Sequence, residues 1–312
     1  MNPSNGISNS NIQVVQHPLN HRCSQHALVF EQSGSVKDKR DAASAIVELM
    51  STASIEEIRS CPRPSGFTLF HLIPMAEGVD DGTKSTLFER LMADAEMCIL
   101  VDQPNNSISA DQLCFEASNR KMPLANGDRP SHVAVFAGSK EDVSRQLHAL
   151  EQQGLKDCWS NNTGNNLFNL AAGKSLEIFN LVFNFYQPHE KFGEYITNST
   201  NFLVTPAHHA CRSTNADKLQ ILARLLVAGA EHSLSQDDDR NMTPLEHLKP
   251  DSQQYLQLMN LVKEDPQLLQ MGEQARTERL QAIEKAISSA FEKVDEKKTF
   301  MSMTHAQKGV MP

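Results

Sequence analysis

Three side chains close together in the chain have the types and spacing for chemistry: His208, His209 and Cys211, in the run Thr205-Pro206-Ala207-His208-His209-Ala210-Cys211. Imidazoles and a thiol together can ligate zinc, and a cysteine beside a histidine can act as an activated nucleophile. His71 and His132 stand in related settings, Thr68-Leu69-Phe70-His71 and Arg129-Pro130-Ser131-His132. Asp237-Asp238-Asp239 offers carboxylates to a divalent cation, but it lacks the glycine and the spaced ligands of a calcium loop. A charge run of this kind between helices is usually a solvated tip. Elsewhere no nucleophile–base pair, phosphate-cradling glycine loop or carboxylate pair stands out.

Helices must position these residues. Thr205 has the chemistry of an N-cap, Pro206 sits where a missing N–H costs nothing, and the apolar run Leu219–Gly229 ends in a residue that adopts a left-handed backbone cheaply. This helix–turn–helix unit recurs. Aligned on Thr205, the chain shows Gly66-Phe67-Thr68-Leu69-Phe70-His71, Gly127-Asp128-Arg129-Pro130-Ser131-His132, Gly164-Asn165-Asn166-Leu167-Phe168-Asn169 and Asn241-Met242-Thr243-Pro244-Leu245-Glu246, at successive offsets of 61, 37, 39 and 38 residues. Near-equal steps of 20–50 residues are the signature of a solenoid. Each step predicts a short first helix, a longer apolar second helix and a polar excursion. The spacing gives 130–137 and 141–152 in one step, and 166–172 and 176–186 in the next.

These residues resemble the ankyrin repeat, whose pattern is Gly-x-Thr-Pro-Leu-His-x-Ala followed by a Leu-rich helix ending in Gly-Ala. Thr205–Ala210 and Leu225-Leu226-Val227-Ala228-Gly229-Ala230 match it well, while Gly127–Ala134 and Thr243–Leu245 match it moderately. Gly66–His71 and Gly164–Ala171 are degenerate copies. The resemblance implies an all-α ankyrin-repeat solenoid over roughly 66–250. It further implies that His71, His132 and His208 tie neighbouring turns together by hydrogen bonds, and that Cys211 occupies a small buried position, where a free thiol behaves as a small hydrophobe. Helix packing would hold equivalent histidines about 10 Å apart, too far to share one ion. No metal, cofactor or catalytic residue is therefore expected.

The step of 61 residues contains a long insertion within 96–126, with a small helix of its own near Ala110–Ala117, in preference to a decayed repeat. Residues 1–36, rich in Asn, Ser, Gln and Gly, read as a disordered arm. A helical N-terminal cap follows over 37–65. It contains one helical face of Ala43, Ile46, Val47 and Met50 and a capping box at Ser54-Ile55-Glu56-Glu57. The array extends to about 265. A helix over 266–300 carries the stripe Leu280, Ile283, Ile287, Phe291 and Val294, which either caps the array or pairs with a partner or a second copy. Residues 301–312 read as a tail. The aromatic cluster Phe179, Phe183, Phe185 and Tyr186, spaced about four residues apart on an apolar helix, reads as core packing.

A net charge of -9 with no basic block argues against nucleic acid as a partner. No apolar run has the roughly 18 residues a membrane span requires. The scattered cysteines lack CxxC spacing and read as reduced thiols of a cytoplasmic protein.

Function is expected to be non-enzymatic: binding of a partner protein through the fingers and the exposed face of the first helices. Trp159 with Asn161 and Asn162 in one finger, His209 on a first helix, and Asp237, Asp238 and Asp239 in the last finger are expected to line one side of the array. Trp159 could instead cover the neighbouring repeat. A self-assembling scaffold, with a dimer formed through Leu280–Val294, and an enzyme with its site in the insertion are the alternatives. Irregular ankyrin arrays with a polar arm also resemble effectors that intracellular bacteria inject into a host cytosol.

Overall fold

The computed structural model describes residues 18–64, 66–105, 127–248 and 252–308, which form helices joined by turns. Helices α1 (Pro18–Gln32), α2 (Val36–Thr52) and α3 (Ile55–Ser60) lie at the N-terminal end. The predicted capping box forms at α3, with the Ser54 side chain accepting from Glu57 and the Glu57 side chain accepting from the Ser54 amide. Helix pairs follow: α4 (Leu69–Met75) with α5 (Asp81–Ala93), α6 (Pro130–Ala137) with α7 (Lys140–Gln152), and α8 (Leu167–Ala172) with α9 (Leu176–Tyr186). After a short α10 (Phe192–Thr197) come α11 (Pro206–Arg212) with α12 (Lys218–Ala228), and α13 (Pro244–Leu248) with α14 (Ser252–Lys263).

First helices touch first helices in the order α4, α6, α8, α11, α13, and second helices touch second helices in the order α5, α7, α9, α12, α14. The result is a two-row, all-helical stack. Local chemistry explains its units. Ser139 and Ser175 cap the second helices α7 and α9, and Gly229 ends α12 at φ 121° while its amide donates to the carbonyls of Leu225 and Leu226. Phe179, Val182, Phe183 and Tyr186 on α9 are all buried, and each large side chain removed from water contributes about 2 kcal/mol. The core falls into two clusters that meet at α6 and α7. Val133 and Ala149 belong to the N-terminal cluster, whereas Ala134, Val135 and Val143 belong to the other.

Several expectations need correction. Residues 18–32, assigned to a disordered arm, form α1, which buries Cys23, Ala27 and Phe30 against the neighbouring helices. Its apolar stripe is narrow, but α2 presents Ala42, Ala43, Ile46 and Val47 to complete the core there. The C-terminal helix is two helices, α15 (Pro266–Gln270) and α16 (Glu273–Lys308), and α16 continues through the residues assigned to a tail. Ile283, Ile287, Ala290 and Val294 are buried on the last turns of the stack, with Leu280 and Phe291 packed beside them. That stripe is occupied within the chain, so a coiled coil cannot use it without undocking α16. The small helix expected near Ala110–Ala117 lies outside the described residues, as do 1–17 of the expected arm.

Two residues before each first helix's N-cap, the backbone is left-handed: Gly66 (φ 76°), Gly127 (81°), Gly164 (82°), Leu203 (57°) and Asn241 (56°). At Gly164 an added Cβ would stand 2.8 Å from the Asn201 amide nitrogen and 2.9 Å from Thr200 Cα, backbone atoms that cannot step aside. Gly164→Ala is therefore expected to destabilise the chain by about 2 kcal/mol, from left-handed strain plus the clash. Urea denaturation reads this directly, and a loss below about 0.5 kcal/mol would mean the finger does not hold this backbone.

Candidate functional site

The polar fingers are built by one repeated device. Five residues before the N-caps of α8, α11 and α13, a side-chain oxygen accepts main-chain amides from within its own finger. Asn161 Oδ1 accepts from Thr163 and Asn165, both at 3.0 Å. Thr200 Oγ1 accepts from Phe202 and Val204, both at 3.2 Å. Asp238 Oδ1 accepts from Arg240 at 2.7 Å and Met242 at 3.1 Å. Asn105 has the same place in the finger before α6: its amide donates to Asp128 O at 2.7 Å, and its Oδ1 accepts from the Gly127 amide at 3.1 Å. Asn105 and Gly127 are thus held together in this finger although 22 residues separate them in sequence.

The fingers join edge to edge. Asn201 N donates to Thr163 O and Asp239 N to Phe202 O, each at 3.0 Å. Asn201 Nδ2 also donates to Asn162 O at 2.8 Å.

Behind the fingers, one residue of each of α4, α6, α8 and α11 reaches the next finger. His71 Nδ1 accepts from the Thr68 amide at 3.0 Å while Nε2 meets Asp128 O at 3.1 Å. His132 likewise meets Trp159 O at 3.1 Å and Asn165 O at 3.2 Å, and His208 meets Met242 O at 3.1 Å. In each ring Nδ1 faces an N–H, so the proton sits on Nε2 and is donated forward. Asn169 does the same work without a titratable ring, accepting from Asn166 N at 3.0 Å and donating to Asn198 O and Val204 O. Burial pushes the pKa values of His71, His132 and His208 down to about 4.

Cys211 is 3% exposed and burial pushes its thiol up to about 12, which leaves no thiolate for a nucleophile at neutral pH. Among the described residues no group of three or more His, Cys, Asp or Glu side chains is placed to hold a metal ion. A groove of about 460 Å³ between α5 and α7 is lined by Ser85, Glu89, Arg145 and His148 among others. There Ser85 Oγ accepts from Arg145, which also pairs with Asp81 and Asp142.

The expected binding residues divide into two sets. Trp159 is 48% exposed and presents its ring to the Arg129 guanidinium, 5.0 Å from the ring centroid. Arg129 is itself held by the Asp102 carboxylate and by Asp102 O at 2.5 Å. Asn162, Asp237 and Asp239 are exposed as well. Asn161 and Asp238 are not available. Asn161 is 7% exposed and donates to Asp128 Oδ1 at 2.7 Å besides locking its own finger. Asp238 is 2% exposed and pairs with Arg212 and with His247 Nε2 at 2.6 Å, so the triple-Asp tip is only partly solvated. Burial alone would raise the Asp238 carboxyl, but the hydrogen bonds from His247 and the amides of Met242 and Arg240, with the charge of Arg212, hold it down to about 2. His209 is partly buried on α11. Its Nε2 has no hydrogen-bond partner among the described residues, and burial lowers its pKa to about 4.

Sequence reasoning missed Phe202 and Leu203, which are 48% and 54% exposed at the tip of the finger between the two chosen ones. A signal was present: in the alignment on Thr205, Leu203 stands where Gly66, Gly127 and Gly164 stand in the other copies. Comparison of the chain with protein-family models, with curated proteins and with solved structures finds no match.

Proposed function

We propose that this chain is an ankyrin-type solenoid without catalytic activity, binding a partner protein along the joined edge of its fingers. The observation that carries this reading is Leu203. A left-handed backbone costs a residue with a Cβ about 1 kcal/mol or more, and a glycine at this position would remove that cost. Instead a leucine is kept there, exposed, next to an exposed Phe202. Strained, solvent-facing apolar residues are characteristic of functional surfaces.

Trp159, stiffened by Arg129, supplies a second aromatic anchor, and Asn162, Asn201, Asp237 and Asp239 supply the polar rim of an ordinary interface. The acidic rim favours a partner with an apolar cleft edged by Lys or Arg. On the resemblance to injected effectors, that partner belongs to a host cytosol.

The test begins with affinity capture and mass spectrometry to name the partner, followed by binding titrations of variants. Trp159→Ala is expected to weaken binding by roughly 2 kcal/mol or more while changing stability by less than about 1 kcal/mol. Leu203→Gly is expected to weaken binding while raising the denaturation midpoint, a combination that no packing residue produces. Full affinity in both variants would remove the finger edge from the interface.

A further inference from the structure

The groove between α5 and α7 is a trough about two helical turns long. Ser85, Glu89 and Met92 on α5 and Arg145, His148 and Gln152 on α7 line it at helical steps of three and four. At 1.5 Å per residue each wall spans about 11 Å. Phe88 and Ala149, 5% and 1% exposed, give it an apolar floor, and the small side chains of Ala93 and Ala149 leave it open. Close by, Ile99 is 70% exposed on the 3-10 turn Cys98–Asp102, which packs on both helices. An apolar trough rimmed by polar residues is the usual form of a site for another chain.

The charges around the trough do not balance. Arg145 pairs with Asp81 at 2.7 Å and with Asp142 at 2.5 Å, and Lys84 lies 3.5 Å from Asp142, so these two cations and two carboxylates cancel. Glu89, exposed on the α5 wall, has no ion pair among the described residues. Glu151, beside Gln152, meets the His148 ring at 3.9 Å. The rim is therefore acidic. Its other polar groups bond to one another: Ser85 Oγ accepts from Arg145 at 3.0 Å, and Gln152 Nε2 lies 2.9 Å from His148 Nε2. A small polar molecule finds no set of converging groups here to orient it, whereas an apolar ridge edged by positive charge matches both floor and rim.

We propose that this trough docks a basic amphipathic helix of a partner protein, two turns of which lie between α5 and α7. Apolar side chains at i, i+4 and i+7 of that helix rest on Phe88, Met92 and Ala149, and a Lys or Arg beside them faces Glu89. A ridge of side chains at this spacing enters a groove between two helices as it does in ordinary helix packing. The trough is on the second helices, so this contact is additional to one along the finger edge.

The experiment titrates the full chain, isotope-labelled at its methionine methyls, with a synthetic helical peptide bearing Leu at i, i+4 and i+7 and Lys on its flanks. The same peptide with Glu in place of Lys is the control. The Met92 methyl resonance is expected to shift with the Lys peptide and to saturate below about 1 mM, while that of Met259, buried on α14, stays in place. Ala93→Arg, at an exposed position, should weaken binding about tenfold or more, and Glu89→Lys about fivefold. Glu190→Lys, exposed elsewhere on the chain, and Trp159→Ala should leave the affinity unchanged, which separates the trough from net charge and from the finger edge. No Met92 shift up to about 1 mM, equal affinity for the Lys and Glu peptides, or equal losses in Glu89→Lys and Glu190→Lys would each overturn the proposal. So would a dimer in light scattering that Ala93→Arg dissolves, since a second copy would then be the occupant.

Discussion

As the pH falls from 6.5 to about 4, the folded chain is expected to lose on the order of 10 kcal/mol of stability and to unfold. The cause is the buried imidazoles of His71, His132 and His208 with the partly buried one of His209, whose pKa values burial lowers from 6.5 to about 4. Each ring binds its proton more weakly when folded than when unfolded. Below pH 6.5 the unfolded chain therefore takes up protons that the folded chain refuses, and stability is lost progressively until the folded rings also protonate near 4. One ring contributes about 3 kcal/mol.

Asp102 acts in the opposite direction. Burial raises its carboxyl to about 6 against the pull of Arg129, so the folded state gains as that group protonates, by about as much as one histidine loses. Urea denaturation at half-unit pH intervals measures the sum, and a midpoint unchanged between pH 7 and 4.5 would contradict it. Asn169 shows how to isolate one contribution, because it makes the same forward hydrogen bonds without titrating. His132→Asn is expected to flatten the acid slope by about one proton.

Asp238→Ala is expected to cost about 3–5 kcal/mol at neutral pH, the largest loss from a single side chain in the fingers. Removing the carboxylate leaves Arg212 and the His247 Nε2–H without their buried acceptor and frees the amides of Arg240 and Met242. Asp238→Asn should cost clearly less, since Asn161 performs the amide-accepting role in an earlier finger with a neutral side chain. Asp238 binds its proton more weakly when folded, with a pKa of about 2, so its contribution persists above pH 4 and is lost only as the pH falls towards 2. The histidine-driven transition therefore precedes it. Thermal or urea denaturation of the Ala and Asn variants distinguishes these roles. An Ala variant within about 1 kcal/mol of the parent would show that the buried pairs add nothing.

The all-α class and the helix pairs were legible in the sequence because their causes are local. The edges of α6, α7, α9 and α12 fall within one residue of where capping residues and apolar spacing put them, since a helix end is decided by the few residues that satisfy its free amides and carbonyls. The forward hydrogen bonds of His71, His132 and His208 were also anticipated from their shared position in the repeat.

Other features depended on distant partners. A polar finger such as Ser160-Asn161-Asn162 or Asp237-Asp238-Asp239 carries no sequence mark of which side chain turns inward. The reversal of the chain decides it, burying Asn161 and Asp238 as acceptors and leaving Asn162, Asp237 and Asp239 to water. In α1 the narrow stripe of Cys23, Ala27 and Phe30 looks too slight to be ordered until α2 supplies the facing surface. Asn105 and Gly127 lie 22 residues apart in sequence, which hid their place in one finger. In each case the deciding interaction joins residues that sequence order does not bring together, and its free energy exists only once the stack has formed.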